Sequence, residues 1–407
     1  MKQFNIPEFY RSPIISKVKA MRKADDPRKK DFSPTLLDLG KVRFMIARHF
    51  GFCYGVENAI EISYRAIQEN PGKKIYLLSQ MIHNPDVNAD LVSHGITFIQ
   101  DTDGSQLIAW DEITAQDVVI IPAFGTTIEI EKILTDKGVD VRSYNTTCPF
   151  VEKVWNRSEK LGTDDHTIII HGKYDHEETR ATFSHSARTA PSLIIKNMQE
   201  AEYLASFILN KVSAQDLIAY FEGRFTPGFD PDKHLVRIGV VNQTTMLASE
   251  TQAIADFLRQ TMIEKYGEAS IRDHIADTRD TLCYATNDNQ SATLGLMEQE
   301  ADIAIVVGGY NSSNTTHLVE LLEEKFPVFF VSSASNILEN GSIEHFDIHS
   351  GKTILSQEIL TRSEQALTIA ITSGASCPDS IIDGVIQKIM DIFRIERSIE
   401  EALIGHN

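Results

Sequence analysis

HFGFCYGVENAI, His49 to Ile60, places a thiol, Cys53, between two glycines where one hydrophobic pattern gives way to another. Before it, Val42, Phe44 and Ile46 alternate as on a strand; after it, Val56, Ala59, Ile60 and Ala66 follow helical spacing. The stretch reads as a strand, a tight glycine turn and a helix start. Gly51 and Gly55 let the backbone reverse and leave room for a bulky group. The helix N-terminus favours the thiolate, the form of cysteine that binds metal. For a lone thiol, a small buried core residue beside a turn is the competing reading.

Outward from that stretch the same unit recurs. KKIYLLSQ leads to MIHNPDVNADLVSHG, DVVIIPAFGTT to IEIEKILTDKG, and VRSYNTTCP to FVEKVWNRSEKLG. HTIIIHGKYD leads to HEETRAT, LVRIGVVNQTT to MLASETQAIADFLRQ, DIAIVVGGYNSSN to TTHLVELLEEK, and ALTIAITSGASCPD to SIIDGVIQKIMDIF. Short Val/Ile-rich runs alternating with helices predict parallel sheets with right-handed crossovers, an α/β fold. Ligands of such sheets sit beyond the carboxyl ends of the strands. Cys53, His83, Cys148, His176, Gln243, Thr244, Ser312, Asn314 and Ser376 all fall there, so these loops are expected to converge on one site. Residues 210–234, with GRFTPGFDPDK, read as a surface insertion.

Composition narrows the function. The chain has 407 residues, 42% of them hydrophobic, and a net charge of −18, which argues against nucleic-acid binding. No apolar run reaches the roughly 18 residues of a membrane span and there is no continuous apolar signal core, so a cytoplasmic protein is expected. The first thirty residues carry nine Lys/Arg against Glu8, Asp25 and Asp26, and residues 1–41 are expected to be a basic, solvated, disordered arm.

Four cysteines occur, Cys53, Cys148, Cys283 and Cys377. In a cytosolic chain of this size a disulfide framework is not expected. The first three lie 95 and 135 residues apart, which excludes local CxxC signatures, so any shared site must be assembled from distant parts of the fold. Cys148 precedes Pro149, a residue favoured in a first helical turn, and Cys283 also precedes a helical stretch. Three such thiols suit an iron–sulfur cluster, and zinc with one further ligand suits them too. Cys377 is a candidate fourth ligand, with its neighbour Ser376 an equal candidate to face the site.

Two loops read as anion cradles. GGYNSSNTTH, Gly308 to His317, opens a helix and offers Ser312, Ser313, Asn314 and free backbone amides; SGAS, residues 373–376, is the second. Plain helix capping is the alternative for either. His83 and His176 each begin a helix after a strand, where an imidazole can hold phosphate. Glu178, two residues past His176, is the candidate proton donor, because a carboxyl in a closed, partly apolar site has a raised pKa.

In this order, GFCYGVENAI, TTCPFVEKV, HGKYDHEET, VNQTT, LCYATNDNQ, NSSNT and SGASCPD resemble the LytB or IspH family, the reductases of 4-hydroxy-3-methylbut-2-enyl diphosphate, over about residues 42–394. The resemblance implies three α/β lobes with mainly parallel sheets around a pseudo-threefold axis and a central cluster. Here the lobes would be 42–147, 148–280 and 281–375, followed by a C-terminal helix in 376–407 that packs back on the core. It implies a [4Fe-4S] cluster with Cys53, Cys148 and Cys283 as ligands and one open iron. His83, Ser312, Asn314 and Ser376 would bind the diphosphate, with His176, Ser313 and Thr244 as further substrate-binding residues; Glu178, His176 and Thr244 would be catalytic, with Thr244 beside the substrate alcohol. The implied reaction is reductive dehydroxylation to isopentenyl and dimethylallyl diphosphate, the last step of the methylerythritol phosphate route, with reduced ferredoxin or flavodoxin as donor; because such carriers are commonly acidic, the basic charge of residues 1–30 is expected to help dock it. One departure stands out: Phe124 in PAFGTT occupies the place of a diphosphate-binding histidine, and Thr126 or Thr127 is the expected substitute. A zinc-dependent hydrolase of a phosphorylated metabolite and a non-enzymatic iron–sulfur sensor are the competing classes.

Overall fold

The computed structural model describes residues 4–28, 30–276, 281, 283–361, 365–396 and 402. Asp280 and Leu282 of the DTLCYATNDNQ motif, residues 1–3 and Lys29 of the basic arm, and most positions after residue 396 lie outside the described residues. The chain divides into two compact units, one of Met1–Glu57, His83–Asp86 and Tyr284–Asn407, the other of Asn58–Ile82 and Val87–Cys283. Both are α/β with mainly parallel sheets. No helix among the described residues is long and apolar enough to cross a membrane.

The first unit holds a five-stranded sheet in the order Thr35–Asp38, Val42–Ile46, Leu367–Ser373, Ile303–Val307, Val328–Val331. Only its first pair is antiparallel. The Val42–Ile46 strand that leads to Cys53 pairs with Leu367–Ser373 from the far end of the chain, Phe44 facing Ile369 in register. The central strands are buried on both faces, as their near-continuous Val/Ile runs require. Phe44, Ile46, Phe330, Ile371 and Phe393 are buried together in this unit's core. An antiparallel hairpin, Ile343–Asp347 with Lys352–Ser356, completes this unit's strands.

The second unit holds two three-stranded parallel sheets, Ile96–Phe98, Ile75–Leu77, Val118–Ile120 and Ser192–Ile195, Thr167–His171, Ile238–Asn242. Along Thr167–His171, Ile169 joins one apolar core with Leu204 and Leu258, while Ile168 and Ile170 join another with Val154 and Leu161. That alternation is the period-two geometry of a strand with helices on both faces.

Three sequence expectations are overturned. The basic arm is not a disordered tail: Pro13–Asp25 is a helix, its N-cap Ser12 accepting from Ile15 N–H at 3.1 Å, with Ile15 and Val18 buried. Thr35–Asp38 is an edge strand of the main sheet. A Ser-Pro start and apolar residues three apart outweigh the surrounding charge. VRSYNTT forms no strand, only an isolated bridge between Asn145 and Ile121, because Asn145 Oδ1 captures Thr147 N–H at 2.9 Å and Thr146 Oγ1 donates to the Ile121 carbonyl at 2.6 Å. Residues 210–234 are no surface insertion, since Leu217, Phe221 and Phe229 enter the second unit's core.

Candidate active site

In the second unit, Glu178 lies in the first turn of helix Glu177–Ala187 and is 1% exposed. Its Oε1 accepts the backbone N–H of Thr244, and Thr244 Oγ1 donates to Oε2 at 3.0 Å. Burial lifts the carboxyl from its ordinary 4.5 to about 7, although both Thr244 contacts favour the ionised form. His176 caps the same helix: its Nδ1 accepts the Glu178 N–H at 3.2 Å, so a neutral ring carries its hydrogen on Nε2. The Phe124 ring stands edge-on to the His176 ring, centroids 5.4 Å apart. Phe124 therefore occupies the neighbourhood of His176 but brings no hydrogen-bonding group.

Of the two threonines after Phe124, Thr127 has its hydroxyl engaged elsewhere. The Thr127 hydroxyl caps helix Ile128–Asp136 and bonds to the Glu129 carboxylate, and Thr126 is held through its carbonyl by His185. Gly125 shapes this turn: its φ is +76°, and a Cβ there would lie 2.4 Å from the Trp155 ring. Cys148 adjoins it, its N–H donating to the Ala123 carbonyl at 2.9 Å, as the N-cap of helix Pro149–Thr163.

Gln243 ties this region together and received no role from the sequence beyond its place at a strand end. Its Oε1 accepts from Lys173 N–H at 3.1 Å and Thr179 Oγ1 at 3.0 Å, and its Nε2 donates to Thr245 Oγ1 at 2.6 Å. The loop bearing His176 and Glu178 is thereby locked to the loop bearing Thr244. Asn242 extends the lock, its Oδ1 accepting from Thr281 Oγ1 at 2.7 Å, two residues before Cys283. A polar Gln-Thr-Thr run at the end of an apolar strand was the available signal.

In the first unit the two candidate anion loops meet, Gly374 lying against Thr315. Ser312 caps helix Ser313–Glu323, accepting from Thr315 N–H at 3.3 Å, with Ser313 and Asn314 buried in the first turn. Both amide atoms of Asn314, 3% exposed, have no hydrogen-bond partner among the described residues. Leaving a buried polar group unmet costs about 1–3 kcal/mol, so this amide suits a ligand. Ser376 Oγ donates to the His83 carbonyl at 3.3 Å, and a Cβ on Gly309 would come within 2.4 Å of that same carbonyl. Thr315, missed in the sequence, is packed so closely that a Cβ on Gly374 would reach its hydroxyl. His83, Ser312–Asn314 and Ser376 are thus gathered by one set of close backbone approaches. Cys53 adjoins them, its N–H donating to the Ala375 carbonyl at 3.2 Å.

All three candidate thiols precede or cap helices, at Tyr54–Glu69, Pro149–Thr163 and Tyr284–Met297, and none is in a disulfide. Soft donors at helix N-termini have the chemistry an iron–sulfur cluster requires. Among the described residues no three His, Cys, Asp or Glu are grouped as a metal site, so the fit rests on the donor chemistry. Cys377 is different: it is 0% exposed within the apolar core, where burial and then Asp379 push its thiol far above the ordinary range. It packs as a small hydrophobe.

A family model described as LytB protein matches residues 44–390. A relative from Crocosphaera subtropica, named 4-hydroxy-3-methylbut-2-enyl diphosphate reductase, is 40% identical over 357 residues, covering 86% of this chain and 85% of its own. The solved structure of (E)-4-hydroxy-3-methyl-but-2-enyl diphosphate reductase, described as the terminal enzyme of the non-mevalonate pathway, shares 22% identity at a TM-score of 0.51, covering 86% of this chain and 99% of that one. The E-1-hydroxy-2-methyl-but-2-enyl-4-diphosphate reductase from Plasmodium falciparum shares 21% identity at a TM-score of 0.62, covering 86% and 88%. At those identities the two structures establish likeness of fold.

Proposed function

The chain belongs to the LytB protein family, and we propose that the residues described above perform the family's reduction of 4-hydroxy-3-methylbut-2-enyl diphosphate. Its activity is that of an isoprenoid-pathway oxidoreductase, and the zinc-hydrolase and sensor readings have no support among its relatives. The observation that carries the mechanism is the buried carboxyl of Glu178, held near neutrality in its pKa against Thr244.

The reaction breaks the allylic C–O bond, adds two electrons and two protons, and releases water with isopentenyl or dimethylallyl diphosphate. We assign Cys53, Cys148 and Cys283 as ligands of a [4Fe-4S] cluster with one open iron, which when bound would supply the electrons and a Lewis acid for the alcohol oxygen. Glu178 stores the proton that lets the oxygen leave. With Oε1 held by the Thr244 N–H, Oε2 is the oxygen that carries that proton; once protonated it donates to Thr244 Oγ1, reversing the bond of the ionised form, and Oγ1 relays the proton. His83, Ser312, Ser313, Asn314 and Ser376 receive the diphosphate, Asn314 gaining the partners its amide lacks. His176 adds a donor at Nε2, and Thr244 orients the alcohol. The diphosphate can deliver the second proton. The three mainly parallel sheets would mark the three lobes, in a cytoplasmic enzyme.

Reduced ferredoxin or flavodoxin would bring the electrons. Such carriers are commonly acidic, and exposed Lys17, Lys23, Arg28 and Lys30 offer a basic face on an acidic chain. Because this segment is folded, charge reversal at Lys23 and Arg28 tests the docking better than deletion. It should weaken turnover with the protein donor and spare turnover with reduced viologen; equal donor dependence in the two proteins refutes it.

The function itself is tested anaerobically by following oxidation of reduced viologen when the diphosphate substrate is added to protein of verified iron and sulfide content. Substrate-dependent oxidation is expected. Its absence with the cluster present would mean that Phe124 marks a changed pocket and a different substrate.

A further inference from the structure

The turn that carries Cys53 is gripped from outside the stretch that matches the family model, which begins at residue 44. Arg48, largely buried, donates from Nη2 to the carbonyls of Arg22 at 3.1 Å and Asp26 at 3.2 Å, closing the C-terminal end of helix Pro13–Asp25, where a cation is favoured. Lys19 Nζ, on that helix, bonds to Asp379 Oδ1 at 2.7 Å and stands 4.6 Å from the centre of the Phe50 ring. Gly51 lies against that ion pair at a φ of +78°; a Cβ there would be 2.5 Å from Asp379 Oδ1 and 2.9 Å from Lys19 Nζ. Tyr10 meets the Phe52 ring edge-on at 5.7 Å, and Phe4 meets the Tyr54 ring at 4.9 Å. Residues 50, 51, 52 and 54, on both sides of the thiol, are thus contacted by residues 4–28 or by the Lys19–Asp379 pair they complete.

A turn with a glycine at position 51, beside a second at the start of the following helix, has many conformations to lose on ordering. The contacts remove that freedom on both sides of Cys53. We propose that the N-terminal segment is a clamp that holds the Cys53 turn in its ligand-presenting conformation, with Lys19 as its positioning residue. The clamp acts on the turn whether or not the cluster is bound; its consequence for cluster retention rests on the reading of Cys53 as a ligand.

The test has two readouts on the full-length chain. In protein stripped of iron, the rate of alkylation of Cys53 by iodoacetamide is followed by peptide mass spectrometry, with Cys148 as internal reference. Losing a partly buried ion pair together with a cation–π contact should make Lys19→Met react about tenfold faster at Cys53, with Cys148 unchanged. Lys19→Arg keeps both contacts and should restore the parental rate. Parental reactivity of Cys53 in Lys19→Met, or parallel rises at Cys53, Cys148 and buried Cys377, would overturn the clamp. The Tyr10→Ala variant, which leaves the ion pair intact, should accelerate Cys53 in the same selective way. In loaded protein, anaerobic iron release to a chelator should be faster in Lys19→Met; selective alkylation with unchanged iron release would uphold the clamp and refute Cys53 as a ligand.

Discussion

Glu178→Gln keeps the shape of the side chain and removes the proton it holds. The carbonyl of glutamine can accept the Thr244 N–H, and its amide can donate to Thr244 Oγ1, so the fold around it should persist. A carboxyl raised from 4.5 to about 7 by burial corresponds, at about 1.4 kcal/mol per pH unit, to about 3 kcal/mol. The sign follows from proton counts: between those values the unfolded chain has lost the proton that the folded chain retains. Stability therefore falls as pH rises through this window, with no penalty below 4.5 and the whole of it above about 7. Urea unfolding at about pH 4 and about pH 8 should show Gln and parent nearly equal at the lower value, and the variant more stable by up to about 3 kcal/mol at the higher. Turnover with reduced viologen should drop by about 10²–10⁴-fold in the variant, and parental kcat should decline as pH rises through about 7. A variant with near-parental turnover, or a stability difference that does not change with pH, would refute both the raised pKa and the acid role.

Asn314→Ala should raise KM for the diphosphate substrate about tenfold, the worth of a hydrogen bond to a charged group, without lowering the thermal midpoint, because its amide has no partner to lose among the described residues; an unchanged KM removes it from the cradle. Cys377→Ala should retain full iron content and turnover at a stability cost of about 1–2 kcal/mol for the small cavity, whereas Cys148→Ser should lose iron; iron analysis and urea midpoints separate the two. Gly125→Ala should destabilise by about 1–3 kcal/mol through the positive φ and the clash with Trp155, measured as a lowered denaturant midpoint, and wild-type stability would contradict the tight turn beside Phe124.

The alternation of Val/Ile runs with amphipathic helices was legible because strand and helix periods are local. The positions of His176, Ser312 and Cys148 at helix starts were legible for the same reason. Local pattern failed where side chains competed with it: Asn145 and Thr146 drew the backbone out of a strand, and Ile15 with Val18 folded a segment whose charge suggested a tail. Thr127 looked like a spare hydroxyl until its place as a helix cap was seen.

The sequence by itself determined the fold class, the family and the residue types that stand at the ends of the strands, since those follow from short-range spacing, from glycine and proline conformations and from ordered motifs. Only the tertiary structure decided that the Cys53 strand pairs with residues more than three hundred positions away, that Cys377 is sealed in a core, and that Glu178 is buried against Thr244, 66 residues on. Burial and pKa depend on desolvation by groups brought together in space, and no local pattern encodes which those will be.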